Sequence, residues 1–414
     1  MIYTIQPPAS SIHTKVDLPA SKSISNRILI LNALSKSKFS IENLSNSDDT
    51  QVLMKALLSL QKENTTFDIG AAGTSMRFLT AYLAQKEGIW TVTGTERMKN
   101  RPIKILVDSL REIGGKIEYM EKEGFPPLKI YGRQLSGGTI YLNGGVSSQY
   151  LSALMMIAPL TQQGLDIQLE GNIISRPYID MTIRLMQTFG VETGWNGQQI
   201  RIEPQSYQPV PFKVENDWSA ASYWYEIMAL AGNFADVELT GLEQNSIQGD
   251  SKVAKLFESI VATEYLPSLR GVLTTKQSSS RLSPTINYDF TNEPDLAQTL
   301  VVTCCLLDIP FYFTGLQSLR IKETDRISAL QTELRKLGYA VKTSETTMEW
   351  TGERCNVEPN PVISTYEDHR MAMAFAPVCL KTGKIRIENP GVVSKSYPRF
   401  WKDLENAGFI IESE

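Results

Sequence analysis

Histidine and cysteine are scarce in this chain. Two histidines, His13 and His369, and four cysteines, Cys304, Cys305, Cys355 and Cys379, stand among 414 residues. No CxxC pair occurs, so a zinc site is not expected and the metal ligands are put at none. Cys304 and Cys305 lie inside an apolar, helix-like run, which points to reduced core thiols in a cytoplasmic protein. There is no GxxxxGK(S/T) loop and no GxGxxG turn, which removes the P-loop and the dinucleotide fingerprint. No apolar run reaches the roughly 20 residues that span a bilayer, so no membrane partner is expected. Met1 to Gln6, cut short by Pro7 and Pro8, does not read as a secretory leader. The net charge of −4 gives no support for nucleic-acid binding, so any anion site has to be built locally against the overall sign. At 414 residues the chain exceeds one ordinary core, and two domains are the default.

What is present begins with a repeat. A helix, a glycine and a short strand-like run recur at Gly114, Gly190, Gly338 and Gly408. Glycine just past a helix is the usual left-handed stop, and the alternating apolar residues beyond it read as a half-buried strand. The glycines are 76, 148 and 70 residues apart, and the middle gap is two periods, with a worn copy near Leu256 to Tyr265. One period before Gly114 lies Lys38, where the helix Ile28–Leu34 gives way to Phe39–Glu42. The expectation is therefore an α/β protein of six small modules, each of about seventy residues, too long for a solenoid of single hairpins.

A second kind of helix is apolar nearly all round, at 25–34, 74–83, 148–160, 219–231, 296–307 and 370–380. Such helices are buried, so we expect two domains with three central helices each and sheets outside. Their starts are polar: Ser21-Lys22-Ser23, Gly73-Thr74-Ser75 with Arg77, Ser147-Ser148-Gln149, Asp217-Trp218-Ser219, Glu293-Pro294-Asp295, and Asp368-His369-Arg370. Several are good N-caps. If the helices run alike, their positive ends converge and attract anions. Basic stretches lie nearby, at Arg97–Pro102, Arg320–Arg326 and Ser394–Pro398. Taken singly, each of these more often is a solvated, salt-bridged surface; three together, beside six polar helix starts, weigh against that reading.

The ordered motifs LPASKSISNR (18–27), AGTSMR (72–77), RMKNRP (97–102), SSQYLSALMM (147–156), SRPYIDMT (175–182), EPDLAQT (293–299), RIKETDR (320–326), YEDHRMAM (366–373) and SKSYP (394–398) run from end to end. With them the chain closely resembles the 3-phosphoshikimate 1-carboxyvinyltransferase family, also called 5-enolpyruvylshikimate-3-phosphate synthase. The resemblance implies an enolpyruvyl transferase-like fold of six βαβαββ-type units, three per domain. One domain would span 21–216 and the other 1–20 with 217–414, with the active site in the interdomain cleft. The implied reaction moves the enolpyruvyl group of phosphoenolpyruvate to the 5-hydroxyl of shikimate 3-phosphate and releases phosphate. No metal or organic cofactor is implied, the two small molecules are the only partners implied, and a monomer is expected.

By the same resemblance, Lys22, Arg97, Gln149 and Lys395 hold the phosphate of phosphoenolpyruvate, Arg326 and Arg370 take its carboxylate, and Gly73 lets the backbone approach it. Arg77 would support that wall. Shikimate 3-phosphate would be held by Lys22, Ser23, Arg27, Ser147, Ser148, Gln149, Ser175, Asp295 and Lys322, with Tyr178 stacking on its ring or filling the core. The reaction needs two acid–base groups on opposite sides of the reacting carbon. Asp295, as base toward the 5-hydroxyl, and Glu323, as proton carrier to the methylene beside Lys22, fill these roles; His369 is expected to position. Because Gly73 is kept, glyphosate is expected to compete with phosphoenolpyruvate. Ala71, Phe78 and Ser318 depart from the residues of some family members, and Thr263–Asn287 matches weakly. A related transferase acting on UDP-N-acetylglucosamine uses a loop cysteine as acid, and none stands here between Arg97 and Cys304. A non-catalytic anion-binding relative would have lost a carboxylate or cation, and none is missing.

Overall fold

The computed structural model describes residues 1–60, 65–260 and 285–414. The chain forms two compact units, Ala20–Glu215 on its own, and Met1–Pro19 together with Asn216–Glu414. It opens with β1 (Ile2–Gln6) and β2 (Ile12–Asp17), which belong to the split unit. The continuous unit starts with α1 (Lys22–Leu34), β3 (Ile41–Glu42) and α2 (Asp48–Ser59). Next come β4 (Thr66–Asp68), α3 (Gly73–Gln85), β5 (Gly88–Thr93), α4 (Glu96–Lys99), α5 (Lys104–Glu112), β6 (Lys116–Tyr119) and β7 (Leu128–Gly132). It closes with β8 (Gly138–Asn143), α6 (Ser148–Ile157), β9 (Leu165–Glu170), α7 (Arg176–Thr188), β10 (Gly194–Asn196), β11 (Gln199–Ile202) and β12 (Phe212–Lys213).

The split unit resumes with α8 (Trp218–Ala231), β13 (Ala235–Thr240) and a helix over 253–260, α9. Then follow β14 (Ile286–Asp289), α10 (Ala297–Leu306), β15 (Phe311–Thr314), α11 (Arg326–Lys336), β16 (Lys342–Thr343) and β17 (Met348–Trp350). The last stretch holds β18 (Val362–Ile363), α12 (His369–Phe375), α13 (Cys379–Thr382), β19 (Ile385–Glu388), α14 (Phe400–Asn406) and β20 (Ile410–Ser413).

One strand order recurs. The sheets β4-β5-β7-β6, β8-β9-β11-β10 and β14-β15-β17-β16 each place their strands first, second, fourth, third. In each the first two strands are parallel and the others antiparallel. A parallel pair needs a crossover, and the buried helix between the two strands supplies it. The fourth such sheet, β18-β19-β1-β20, fills its missing place with the N-terminal strand β1. Two parallel pairs complete the set, β2 with β13 and β3 with β12. These strands are exchanged: β2 precedes α1 in the chain but pairs beside α8, and β12 precedes α8 but pairs beside α1. Among the described residues each unit thus has three sheets.

The helices expected to be apolar all round are the central ones. Every residue of α10 and α12 is buried, and α6 is buried except at Gln149. The outer helices α5, α7, α11 and α14 all stop in one way. The glycine N–H bonds the carbonyl three residues back, at 3.0, 2.9, 3.0 and 2.9 Å for Gly114, Gly190, Gly338 and Gly408. The next N–H reaches five residues back, as at Tyr339 to Leu334 (3.0 Å), and all four glycines have φ between 80° and 98°. This is the Schellman stop, which a side chain at that φ would strain.

One expected copy differs. Ile28–Leu34 is part of the buried α1, and the outer helix of that module is α2, which ends at Leu60 without a glycine. The count from Gly114 landed on the wrong helix type because α1 is followed, like the outer helices, by a short strand. The worn copy near Leu256 to Tyr265 begins as α9, and its remainder, with most of Thr263–Asn287, lies outside the described residues. Among the described residues, no helix is long and apolar enough to cross a membrane.

Candidate active site

In the continuous unit the buried helices α1, α3 and α6 begin at a common end. Gln149 Nε2 donates to Thr74 Oγ1 at 3.2 Å, joining the starts of α6 and α3. Ser21 caps α1 through the N–H of Ile24, and Ser147 caps α6 through that of Gln149. Lys22 and Ser23 therefore lie on the first turn of α1, and Ser148 and Gln149 on that of α6. Arg27, one turn further, is buried and ties three elements together. Its Nε donates to Thr182 Oγ1 (2.8 Å), Nη2 to Ser152 Oγ (2.9 Å) and Nη1 to the Ser23 carbonyl (2.9 Å). All these acceptors are neutral. Burial pulls the Arg27 pKa down to about 10, so the guanidinium stays charged at neutral pH. A buried cation bonded only to hydroxyls and carbonyls suits an incoming anion.

Ser175 heads α7 with φ 54°, and its hydroxyl does not cap that helix. The Tyr178 ring centroid lies 6.0 Å from the Arg27 guanidinium, on the same helix start. Arg97 is on α4, half-buried. Gly73 has a reason the sequence did not supply. A Cβ there would meet Arg101 Nη1 at 2.5 Å and Arg77 Nη1 at 2.7 Å, and Arg77 also donates to the Gly73 carbonyl at 2.7 Å. The glycine makes room for two guanidinium groups.

The split unit carries the carboxylates. Asp295 sits in the 3-10 turn Pro294–Leu296 at the head of α10, and Glu323 just before α11. Both meet on Arg326, whose Nη1 donates to Asp295 Oδ1 (2.9 Å) and Nη2 to Glu323 Oε2 (2.8 Å). Arg326 Nε donates to Asp368 Oδ2 at 2.7 Å, and both of these side chains are almost wholly buried. Arg370 Nη2 approaches Asp295 Oδ2 at 3.0 Å and its Nη1 donates to the Asp295 carbonyl at 3.2 Å. Lys322 Nζ lies 3.6 Å from Asp295 Oδ1. Asp295, Glu323, Lys322, Arg326 and Arg370 thus form one cluster of charges. Lys395 Nζ donates to the Glu367 carbonyl at 2.8 Å, just before α12. Tyr366 and Glu367 are both left-handed, with φ 52° and 56°, which turns the chain so that Asp368 caps α12.

Three members of this cluster were not assigned from the sequence. Asp368 was read only as a helix start, because its pairing with Arg326 spans 42 residues. Tyr223, whose hydroxyl accepts from Arg370 Nη1 at 3.3 Å, sat unmarked in an apolar helix. Asp250, bonded by the Ser219 hydroxyl, followed no motif. Among the described residues no group of three or more His, Cys, Asp or Glu is arranged to hold a metal.

The family model for EPSP synthase (3-phosphoshikimate 1-carboxyvinyltransferase) matches residues 7–404. The chain belongs to the EPSP synthase family. A 3-phosphoshikimate 1-carboxyvinyltransferase of Bacteroides fragilis is 55% identical over 415 residues, covering 100% of this chain and 99% of that one. One from Vibrio cholerae serotype O1 is 37% identical and covers 96% of this chain and 97% of its own. The fold is that of EPSP synthase from Acinetobacter baumannii, with a TM-score of 0.77, 20% identity and full coverage of both chains. Membership in the EPSP synthase family accounts for the repeated module and for the two sets of helix starts that carry the charged residues.

Proposed function

We propose that this chain transfers the enolpyruvyl group of phosphoenolpyruvate to the 5-hydroxyl of shikimate 3-phosphate, releasing phosphate. It is a transferase of the shikimate pathway, on the route to the aromatic amino acids. The observation that carries this reading is the meeting of two carboxylates, Asp295 and Glu323, on one guanidinium, beside Arg370 and Lys322. Both substrates are anions, and both must be neutralised before they can react.

Arg326 and Arg370 take the phosphoenolpyruvate carboxylate, since a guanidinium fork matches a planar carboxylate. That carboxylate competes with Asp295 and Glu323 for the same nitrogens, so substrate entry loosens both side chains for proton transfer. Lys22, Arg97, Gln149 and Lys395 hold the phosphate, with Gly73 beneath it. Lys22, Ser23, Arg27, Ser147, Ser148, Gln149, Ser175, Asp295 and Lys322 hold shikimate 3-phosphate. These sets are drawn from two domains, 21–216 and 1–20 with 217–414.

The reaction is addition then elimination. Asp295 accepts the proton of the 5-hydroxyl as that oxygen bonds to C2 of phosphoenolpyruvate. Glu323 gives a proton to the methylene, which becomes a methyl group. The resulting tetrahedral ketal expels phosphate while the methyl carbon returns a proton, and the double bond re-forms. Two positioned acid–base groups contribute about 100- to 10,000-fold each. The protein acts as a monomer in the cytoplasm, where its four free cysteines stay reduced.

The test is phosphate release in chelator-treated buffer. Release that requires both shikimate 3-phosphate and phosphoenolpyruvate is the expected result. Release from either alone, or only with a metal added, overturns the reading.

A further inference from the structure

Asp250 lies outside every motif assigned above, yet it is only 4% exposed and it feels the charges of Asp295 and Arg370 in the cluster. It sits in the 3-10 turn Gly249–Lys252, which packs on α8. One carboxyl oxygen takes the Ser219 hydroxyl, and the other, Oδ1, has no hydrogen-bond partner among the described residues. A buried carboxyl with one idle oxygen costs stability, so a use for it is worth seeking.

The turn is fastened to the segment that carries Asp295. Lys252 Nζ is 2.6 Å from Glu293 Oε1, and the Tyr288 hydroxyl donates to Glu293 Oε2 at 3.0 Å. The Lys252–Glu293 ion pair thus holds the turn of Asp250 against the segment of Asp295, and the Asp295 charge acts on the Asp250 carboxyl. We propose that Asp250 is a positioning residue for the transfer reaction, acting through Asp295. Its charge opposes the pull of Lys322, Arg326 and Arg370 and keeps Asp295 able to accept a proton. This rests on the reaction assigned above.

The physical reason is a balance of charge. Three cations around one carboxylate make it a poor base. A second carboxylate in the same buried place restores part of its attraction for a proton. The groups around Asp250 are Asp217 at the N-cap of α8, Ser219 on α8, Asp295 at the head of α10, Arg370 on α12, Tyr288 on β14, and the Lys252–Glu293 pair. Burial and then Asp295 push the Asp250 carboxyl up to about 7, against Arg370 and the Ser219 hydroxyl, which pull it down. Asp250 therefore gains its charge near neutral pH, and turnover follows it.

The test is kcat and KM for phosphate release between pH 5.5 and 9, for wild type, Asp250→Asn and Ser219→Ala. The wild-type kcat is expected to rise through a limb near pH 7. Asp250→Asn should lose that limb and fall about tenfold at pH 8, with both KM values within about twofold. Ser219→Ala removes the bond that favours the charged carboxylate, so its limb should move to higher pH. That variant decides the matter if Asp250→Asn does not fold. An active wild type whose limb is unchanged in the variants overturns the role of Asp250 alone. A wild type that releases no phosphate from the paired substrates overturns the assigned reaction, and this role with it.

Discussion

Replacing Asp295 by Asn or Glu323 by Gln removes one acid–base group, and in the first case also a charge beside Arg370 and Lys322. Each variant keeps a carbonyl oxygen able to accept from Arg326, at the place where the carboxylate now accepts at 2.9 or 2.8 Å. Arg326 also keeps its buried bond to Asp368 at 2.7 Å, so the guanidinium is not left uncompensated. The cost in folding stability should therefore stay near 1 kcal/mol for Glu323→Gln, and approach the roughly 3–5 kcal/mol of a broken buried pair for Asp295→Asn, whose amide nitrogen cannot accept from Arg370. Turnover is different. Loss of a positioned base or acid should lower kcat at least about 100-fold, close to 2.7 kcal/mol of transition-state stabilisation. Phosphate release under saturating substrates measures kcat, isothermal titration measures binding of shikimate 3-phosphate, and urea midpoints report the fold. A variant with near wild-type kcat, or one whose loss is all in KM, refutes the assignment of these two carboxylates.

Gly73→Ala drives a Cβ into the guanidinium ends of Arg77 and Arg101, so KM for phosphoenolpyruvate should rise about tenfold while the thermal midpoint barely moves; an unchanged KM would show that the cradle is indifferent to those groups. Glyphosate should compete with phosphoenolpyruvate in the wild type, and an uncompetitive pattern against that substrate contradicts the placement of Gly73. Glu226 is fully buried on α8, and burial holds its carboxyl well above the ordinary range despite the Thr303 hydroxyl. The folded state then binds a proton that the unfolded state has released, so stability falls as pH rises above the unfolded value of about 4.3, by about 1.4 kcal/mol per pH unit. Glu226→Gln should consequently gain on wild type in urea midpoint between pH 5 and pH 7, and parallel midpoints would sink this. Gly338→Ala, at φ 91° with Val357 Cγ2 2.7 Å from the added Cβ, should cost roughly 1–2 kcal/mol and leave kcat unchanged, as read by denaturant melts and phosphate release.

Much of this protein is local, and local features are written in the chain. The Schellman glycines, the all-apolar helices and the N-caps each depend on a few neighbouring residues, so their pattern survives in one dimension. The polar starts of the apolar helices likewise mark Lys22, Asp295 and Arg370 in the chain. Tertiary structure decided the rest. The exchange of β2 and β12 between modules depends on pairings 223 and 171 residues apart, as at Val16 with Leu239 and Ile41 with Phe212, and carries no local signal. Only the folded chain brings Asp368 to Arg326, the Ser219 hydroxyl to Asp250, and Arg101 over Gly73. Burial supplies what composition lacks: the same aspartate that would be an ordinary surface acid becomes, beside Asp295 and out of water, a group that titrates near neutrality.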